Sequence, residues 1–122
     1  DLAGEGESMD TKADVDPIVS RDMVTTLGSL YLNGAHPKHT PLASPLFAGD
    51  FTGLPPTQIF VGTAECLLDD ALRLEKKLRG AGTEAELIVA EDMIHVWPIF
   101  CSFLPEAQHA VEQAAGFMGK HY

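Results

Sequence analysis

Apolar positions fall into two rhythms in the second half of the chain. Two short apolar runs, Thr57-Gln58-Ile59-Phe60-Val61-Gly62 and Glu84 to Ala90, alternate with two segments whose apolar residues recur every three or four positions. The runs are rich in β-formers and predict strands; the periodic segments predict helices. The first helix is expected from Leu67 to Arg79, with Leu68, Ala71, Leu72, Leu74 and Leu78 on its inner side, and Gly80-Ala81-Gly82 stops it. Pro105 opens the second helix, which runs to about Gly119 with Ala107, Val111, Ala114 and Met118 along one side. Strand, helix, strand, helix predicts parallel strands joined by a right-handed crossover, with Ile59, Val61, Leu87 and Val89 buried between layers. Two strands do not make a stable sheet alone, so the sheet is expected to be incomplete in this chain and finished by a partner segment.

Before residue 57 the rhythm survives in one place only. Asp1 to Asp16 is polar and acidic without a regular apolar period, and reads as irregular. Pro17 and Ser20 then precede a helix from Arg21 to Leu32, where Met23, Leu27, Leu30 and Tyr31 recur at helical spacing and Asn33-Gly34 supplies the stop. Ala35 to Pro56 is punctuated by His36-Pro37, Ser44-Pro45 and Leu54-Pro55-Pro56, which favour extended or turning backbone, so a long loop is expected. The chain divides into an irregular segment with one helix over 1–56 and a βαβα unit over 57–122.

Charge narrows the range of partners. With 8 Lys+Arg against 18 Asp+Glu, the net charge of -10 repels a phosphate backbone, and no basic stripe offsets it, so nucleic-acid binding is not expected. Hydrophobic residues make up 45% of the 122, enough for a small core, but no run approaches the ~20 apolar residues of a membrane span. Cys66 and Cys101 sit in apolar settings at no metal-site spacing; free, buried thiols in a reducing, cytoplasmic compartment are expected, with no metal and no cofactor. The opening Asp1-Leu2-Ala3-Gly4 does not read as a natural start, which suggests an excised piece of a longer protein.

The chemistry gathers at the strand ends. His95 stands in Glu91-Asp92-Met93-Ile94-His95-Val96-Trp97, just beyond the second strand, and Glu65 follows the first. In an open α/β sheet, ligands collect beyond the carboxyl ends of the strands, so the two residues are expected at one edge. A carboxylate there would fix the imidazole tautomer and stabilise its protonated form, two thirds of a catalytic triad. Against this stands the plain alternative of a backbone-bonded histidine and a solvated glutamate. Asp69 and Asp70 compete for the acid role, although their place in a first helical turn suits interaction with exposed N–H groups. Ile94, Val96 and Trp97 flank the histidine with apolar surface that suits a small acyl or alcohol group, and equally suits a core edge. His36, His39, His109 and His121 lack partners at ligand spacing, and no serine lies in a Gly-x-Ser-x-Gly elbow.

Five ordered motifs carry a resemblance. Ser44-Pro45-Leu46-Phe47-Ala48, Gly53-Leu54-Pro55-Pro56-Thr57, Val61-Gly62-Thr63-Ala64-Glu65-Cys66-Leu67-Leu68-Asp69-Asp70, Met93-Ile94-His95-Val96-Trp97 and Phe103-Leu104-Pro105-Glu106-Ala107 together resemble the C-terminal part of the bacterial hormone-sensitive-lipase-like esterases, of the α/β-hydrolase fold. The resemblance implies carboxylic-ester hydrolysis by a serine, an acid and a histidine. It places the histidine at His95 and the acid at Glu65, with Asp69 in reserve. It also implies that the serine elbow and oxyanion loop belong to the N-terminal part of the same protein, that the isolated chain is inactive, and that the Arg21 to Leu32 helix packs near a cap. Small neutral esters are the expected substrates. The alternatives are a noncatalytic α/β interaction fragment, or a lactonase or deacetylase on the same scaffold.

Overall fold

The computed structural model describes all of residues 1–122. Its elements run α1 (Ser8–Thr11), α2 (Arg21–Leu32), a 3₁₀ turn at Pro45–Phe47, β1 (Thr57–Gly62), α3 (Leu68–Gly80), β2 (Ala85–Ala90), a second 3₁₀ turn at Trp97–Phe100, and α4 (Pro105–His121). β1 and β2 are parallel neighbours, paired from Thr57 opposite Ala85 to Gly62 opposite Ala90, and they form the whole sheet. The α/β architecture with an incomplete parallel sheet is as the alternation of runs and stripes requires.

Successive strand residues face opposite ways, so β1 presents Ile59 to one helix and Phe60 to the other. On the first face Leu78 of α3 packs with Phe51 and Ala85, backed by Ile59 and Leu74. On the second, Ala107 and Ala110 of α4 pack with Trp97, backed by Phe60 and Ala90. Both strands therefore end between two helical layers, and the loops that follow them emerge side by side.

Several side chains depart from their expected faces. Val61 is buried, but Val89 is 45% exposed, because α3 reaches β2 through Ala85 at its start and leaves the far end of this outer strand open. On α4 the buried positions are Ala107 and Ala110, whereas Val111 and Met118 are exposed. Small alanines let the helix approach Trp97 closely, and the bulkier residues turn outward. Leu72 of α3 is likewise exposed. On α2 it is Gly28 and Leu32 that face inward, and Met23, Leu27, Leu30 and Tyr31 are exposed.

Residues 1–56 contain more order than their composition suggests. α1 is a single helical turn in the stretch expected to be irregular, and the long loop contains the 3₁₀ turn at Pro45–Phe47. One turn is too short to show a period, and this one is fastened by distant partners. Met9 and Val19 pack with Cys66, the residue after Glu65, in a small core of their own. The boundaries of α2 follow local chemistry: Ser20 accepts from the Met23 N–H at the start, and Asn33 takes a left-handed conformation at the end.

Candidate active site

The loops after β1 and β2 are sewn together by backbone hydrogen bonds. Thr63 N–H donates to the Ala90 carbonyl at 2.9 Å, and Ala64 N–H donates to the Met93 carbonyl at 3.1 Å. Asp92 N–H donates to Thr63 Oγ1 at 2.8 Å. This closeness depends on Gly62, where a Cβ would sit 1.8 Å from the Met93 carbonyl oxygen. No other residue type fits without moving the loop that carries His95.

Within this junction Glu65 Oε1 lies 3.0 Å from His95 Nδ1, and Glu65 Oε2 accepts the Gly62 N–H at 2.8 Å. The carboxylate side chain is 4% exposed and the imidazole 30%. An ionised carboxylate can only accept, so Nδ1 carries the proton of this bond, and in the neutral ring Nε2 is left with its lone pair free. A histidine held in that tautomer can take a proton at Nε2 and share the resulting charge with its carboxylate.

Asp69 is placed elsewhere. Its Oδ2 accepts the Ser8 N–H at 2.8 Å, and its own N–H donates to Ser8 Oγ at 3.0 Å. The reserve acid thus belongs to the start of α3, not to His95. Asp70 faces Arg73, one turn along the helix.

The segment after His95 is strained. Val96 has φ 54°, a left-handed conformation that a β-branched side chain rarely adopts and that costs on the order of 1–3 kcal/mol. Trp97 holds it there: the indole is buried beneath α4 and meets Phe60 edge-on, with ring centroids 6.2 Å apart. Two cavities of about 280 Å³ each share Glu65 and His95 in their walls. One opens on the α3 side among Leu46, Ile59, Phe60 and Leu74. The other is walled by Phe60, Val96, Trp97, Pro98 and Ile99. Ile94 is half-buried and lines neither. Gly62, Ser8 and Ile99 stand out in no local sequence pattern, save that Gly62 is a glycine closing a β-rich run. No cluster of three or more His, Cys, Asp or Glu could hold a metal ion.

A strand-end Glu–His pair does not by itself fix a family, since the same chemistry recurs on unrelated folds, and the comparison with known proteins supplies what the geometry leaves open. The family described as the alpha/beta hydrolase fold matches residues 1–99. The chain belongs to that family. It is 41% identical to an acetyl-hydrolase of Streptomyces hygroscopicus over 118 residues, which cover 97% of this chain and 39% of that protein. An esterase of Acinetobacter venetianus is 32% identical, with 96% of the chain and 38% of the relative covered. Among solved structures, an esterase from the bacterial hormone-sensitive lipase family superposes with a TM-score of 0.94 at 43% identity, over 99% of this chain and 40% of the other. This α/β-hydrolase chain therefore spans about two fifths of the length of each of these three proteins. The resemblance to one part of a hormone-sensitive-lipase-like esterase holds, and with it membership of an enzyme family whose relatives bear hydrolase names. No helix is long and apolar enough to cross a membrane.

Proposed function

We propose that the protein containing this chain hydrolyses small, neutral carboxylic esters, with His95 as the proton carrier and Glu65 as its carboxylate partner. The observation that carries the reading is the Glu65–His95 hydrogen bond of 3.0 Å in a chain of this family. The nucleophilic serine comes from the N-terminal part of the same protein. His95 Nε2 removes the hydroxyl proton as the serine oxygen attacks the ester carbonyl, and Glu65 stabilises the imidazolium. The imidazolium then gives that proton to the departing alcohol, which leaves an acyl-serine. A water molecule, deprotonated by the same Nε2, attacks the acyl carbon; the bond from that carbon to the serine oxygen breaks, the carboxylic acid departs, and the returned proton restores the serine hydroxyl.

Substrate preference follows from the surroundings. The walls of both cavities are largely apolar beside the pair, and a net charge of -10 disfavours anionic substrates. The name of the Streptomyces relative, an acetyl-hydrolase, is consistent with a short acyl group. In this reading residues 57–122 are part of the catalytic domain and residues 1–56 lie next to a cap over it. Val96 and Trp97 are substrate contacts through the second cavity, whereas Ile94, the third apolar neighbour of the histidine, lines neither. A cytoplasmic location belongs to the same proposal, supported by two unpaired thiols, Cys66 and Cys101.

The test is steady-state hydrolysis of a short-chain p-nitrophenyl ester by the full-length protein. His95→Ala is expected to lower kcat by roughly 10³-fold or more, and Glu65→Ala by less, because the imidazole remains. Residues 1–122 alone are expected to give no more than the buffer rate. A His95→Ala protein that keeps a tenth of the parent rate would overturn the assignment.

A further inference from the structure

Glu65 is held by its backbone as well as by its carboxylate, and the residues that hold it come from the start of the chain. The peptide joining Glu65 to Cys66 is planar, so fixing the direction of its N–H fixes the rotation of the backbone at Glu65. That N–H donates to Asp16 Oδ2 at 2.7 Å. Asp16 is itself immobilised, because its other oxygen accepts from Ile18 N–H at 2.8 Å and Val19 N–H at 2.9 Å. The next carbonyl, that of Cys66, accepts from Ser8 Oγ at 2.6 Å. The same hydroxyl accepts from Asp69 N–H at 3.0 Å, and Asp69 Oδ2 returns the contact by accepting from Ser8 N–H at 2.8 Å. Ser8 and Cys66 are 2% and 1% exposed, so no water stands ready to replace these partners.

We infer that Ser8 and Asp16 are positioning residues for Glu65: a two-point clamp on Cys66 that sets where the carboxylate meets His95. Packing around Met9, Val19 and Cys66 would fold the segment against the loop without such bonds. What the bonds add is rotational precision at the one loop whose side chain must meet an imidazole. This inference rests on the reading of Glu65 and His95 under Proposed function.

The experiment is a pair of double-mutant cycles in the full-length protein, with kcat, KM and the pH profile of kcat/KM measured on a short-chain p-nitrophenyl ester. Asp16→Ala and Ser8→Ala are each expected to lower kcat about 10-fold with KM within about twofold, short of the ~10²-fold that a 1 Å misplacement can cost. The acid limb of the profile is expected to move to lower pH, since a displaced carboxylate stabilises the imidazolium less. In a Glu65→Ala background the same substitutions are expected to change kcat by less than about twofold, because no carboxylate is left to position. Equal losses in both backgrounds, or no loss in either, would overturn the inference. If neither variant folds, the contacts are scaffold and the inference likewise falls; if only one folds, its cycle decides. A Glu65→Ala protein as active as the parent would instead sink the reading of Glu65 itself.

Discussion

Gly62→Ala is the smallest change that reaches the site, one methyl group added at the end of β1. Built on the observed backbone, the new Cβ would lie 1.8 Å from the Met93 oxygen, 2.5 Å from the Met93 carbonyl carbon and 3.2 Å from Met93 Cβ. Real Cβ atoms essentially never come within 3.0 Å of a non-bonded heavy atom beyond their chain neighbours, so the Met93 peptide must retreat by about 1.2 Å or more. The obstruction is backbone on both sides, and no flexible side chain can yield. Overpacking of this kind costs about 1–3 kcal/mol, and loss of the Ala64 N–H bond to Met93 adds about 1 kcal/mol. Met93 lies two residues before His95, so a shift of that size parts the imidazole from Glu65 and from the attacking serine. A misplacement near 1 Å is worth about 10²-fold in rate. The full-length variant is therefore expected to lose about 10²-fold in kcat/KM on a short-chain nitrophenyl ester, and its thermal midpoint to fall by several degrees. Activity within about twofold of the parent, at an unchanged midpoint, would refute the idea that contact between the two loops sets the histidine.

Three further outcomes follow from the same geometry. Trp97→Ala empties the space between Phe60, Ala107 and Ala110, and is expected to cost about 3–5 kcal/mol in urea unfolding; a loss below about 1 kcal/mol would mean the indole is not a core residue. Burial pushes the Asp16 carboxyl up, but the N–H groups of Val19, Cys66 and Ile18 together hold it below its ordinary 3.8. Its stabilisation is then present in full above that value and lost as pH falls through the lower folded-state value, so the stability gap between parent and Asp16→Ala is expected to shrink between pH 5 and pH 2. A gap that does not depend on pH over that range would contradict the account. Burial, then the Asp16 charge, pushes the Cys66 thiol up, whereas Cys101 is exposed; iodoacetamide followed by peptide mass mapping is expected to find Cys101 alkylated first, and prior labelling of Cys66 would show that its loop opens.

Local pattern by itself determined the strands and α-helices from residue 57 onward, though not the 3₁₀ turn at Trp97–Phe100. Two β-rich runs, a leucine-rich helical stripe and a proline-opened helix leave one economical arrangement, and the handedness of the crossover does the rest. The rule that chemistry gathers beyond strand ends put Glu65 and His95 at the same edge, and the place of Asp69 in a first helical turn pointed to the helix-start role it has. Tertiary structure alone decided what depends on partners far away in sequence. α1 is fastened through Ser8 to the Cys66 carbonyl, 58 residues on, and Asp16 reaches the Cys66 N–H from 50 residues away; no periodicity in a four-residue helix announces either contact. The inner faces of α2 and α4 turn on which small residues let the backbone come close, Gly28 in one and Ala107 and Ala110 in the other. Gly62 looked like a strand end and is the point where two loops touch; Val96 looked like an apolar neighbour and is held in a left-handed conformation. Periodicity records a residue's own preference for helix or strand, whereas contact distance and backbone strain arise only once two segments compete for the same space.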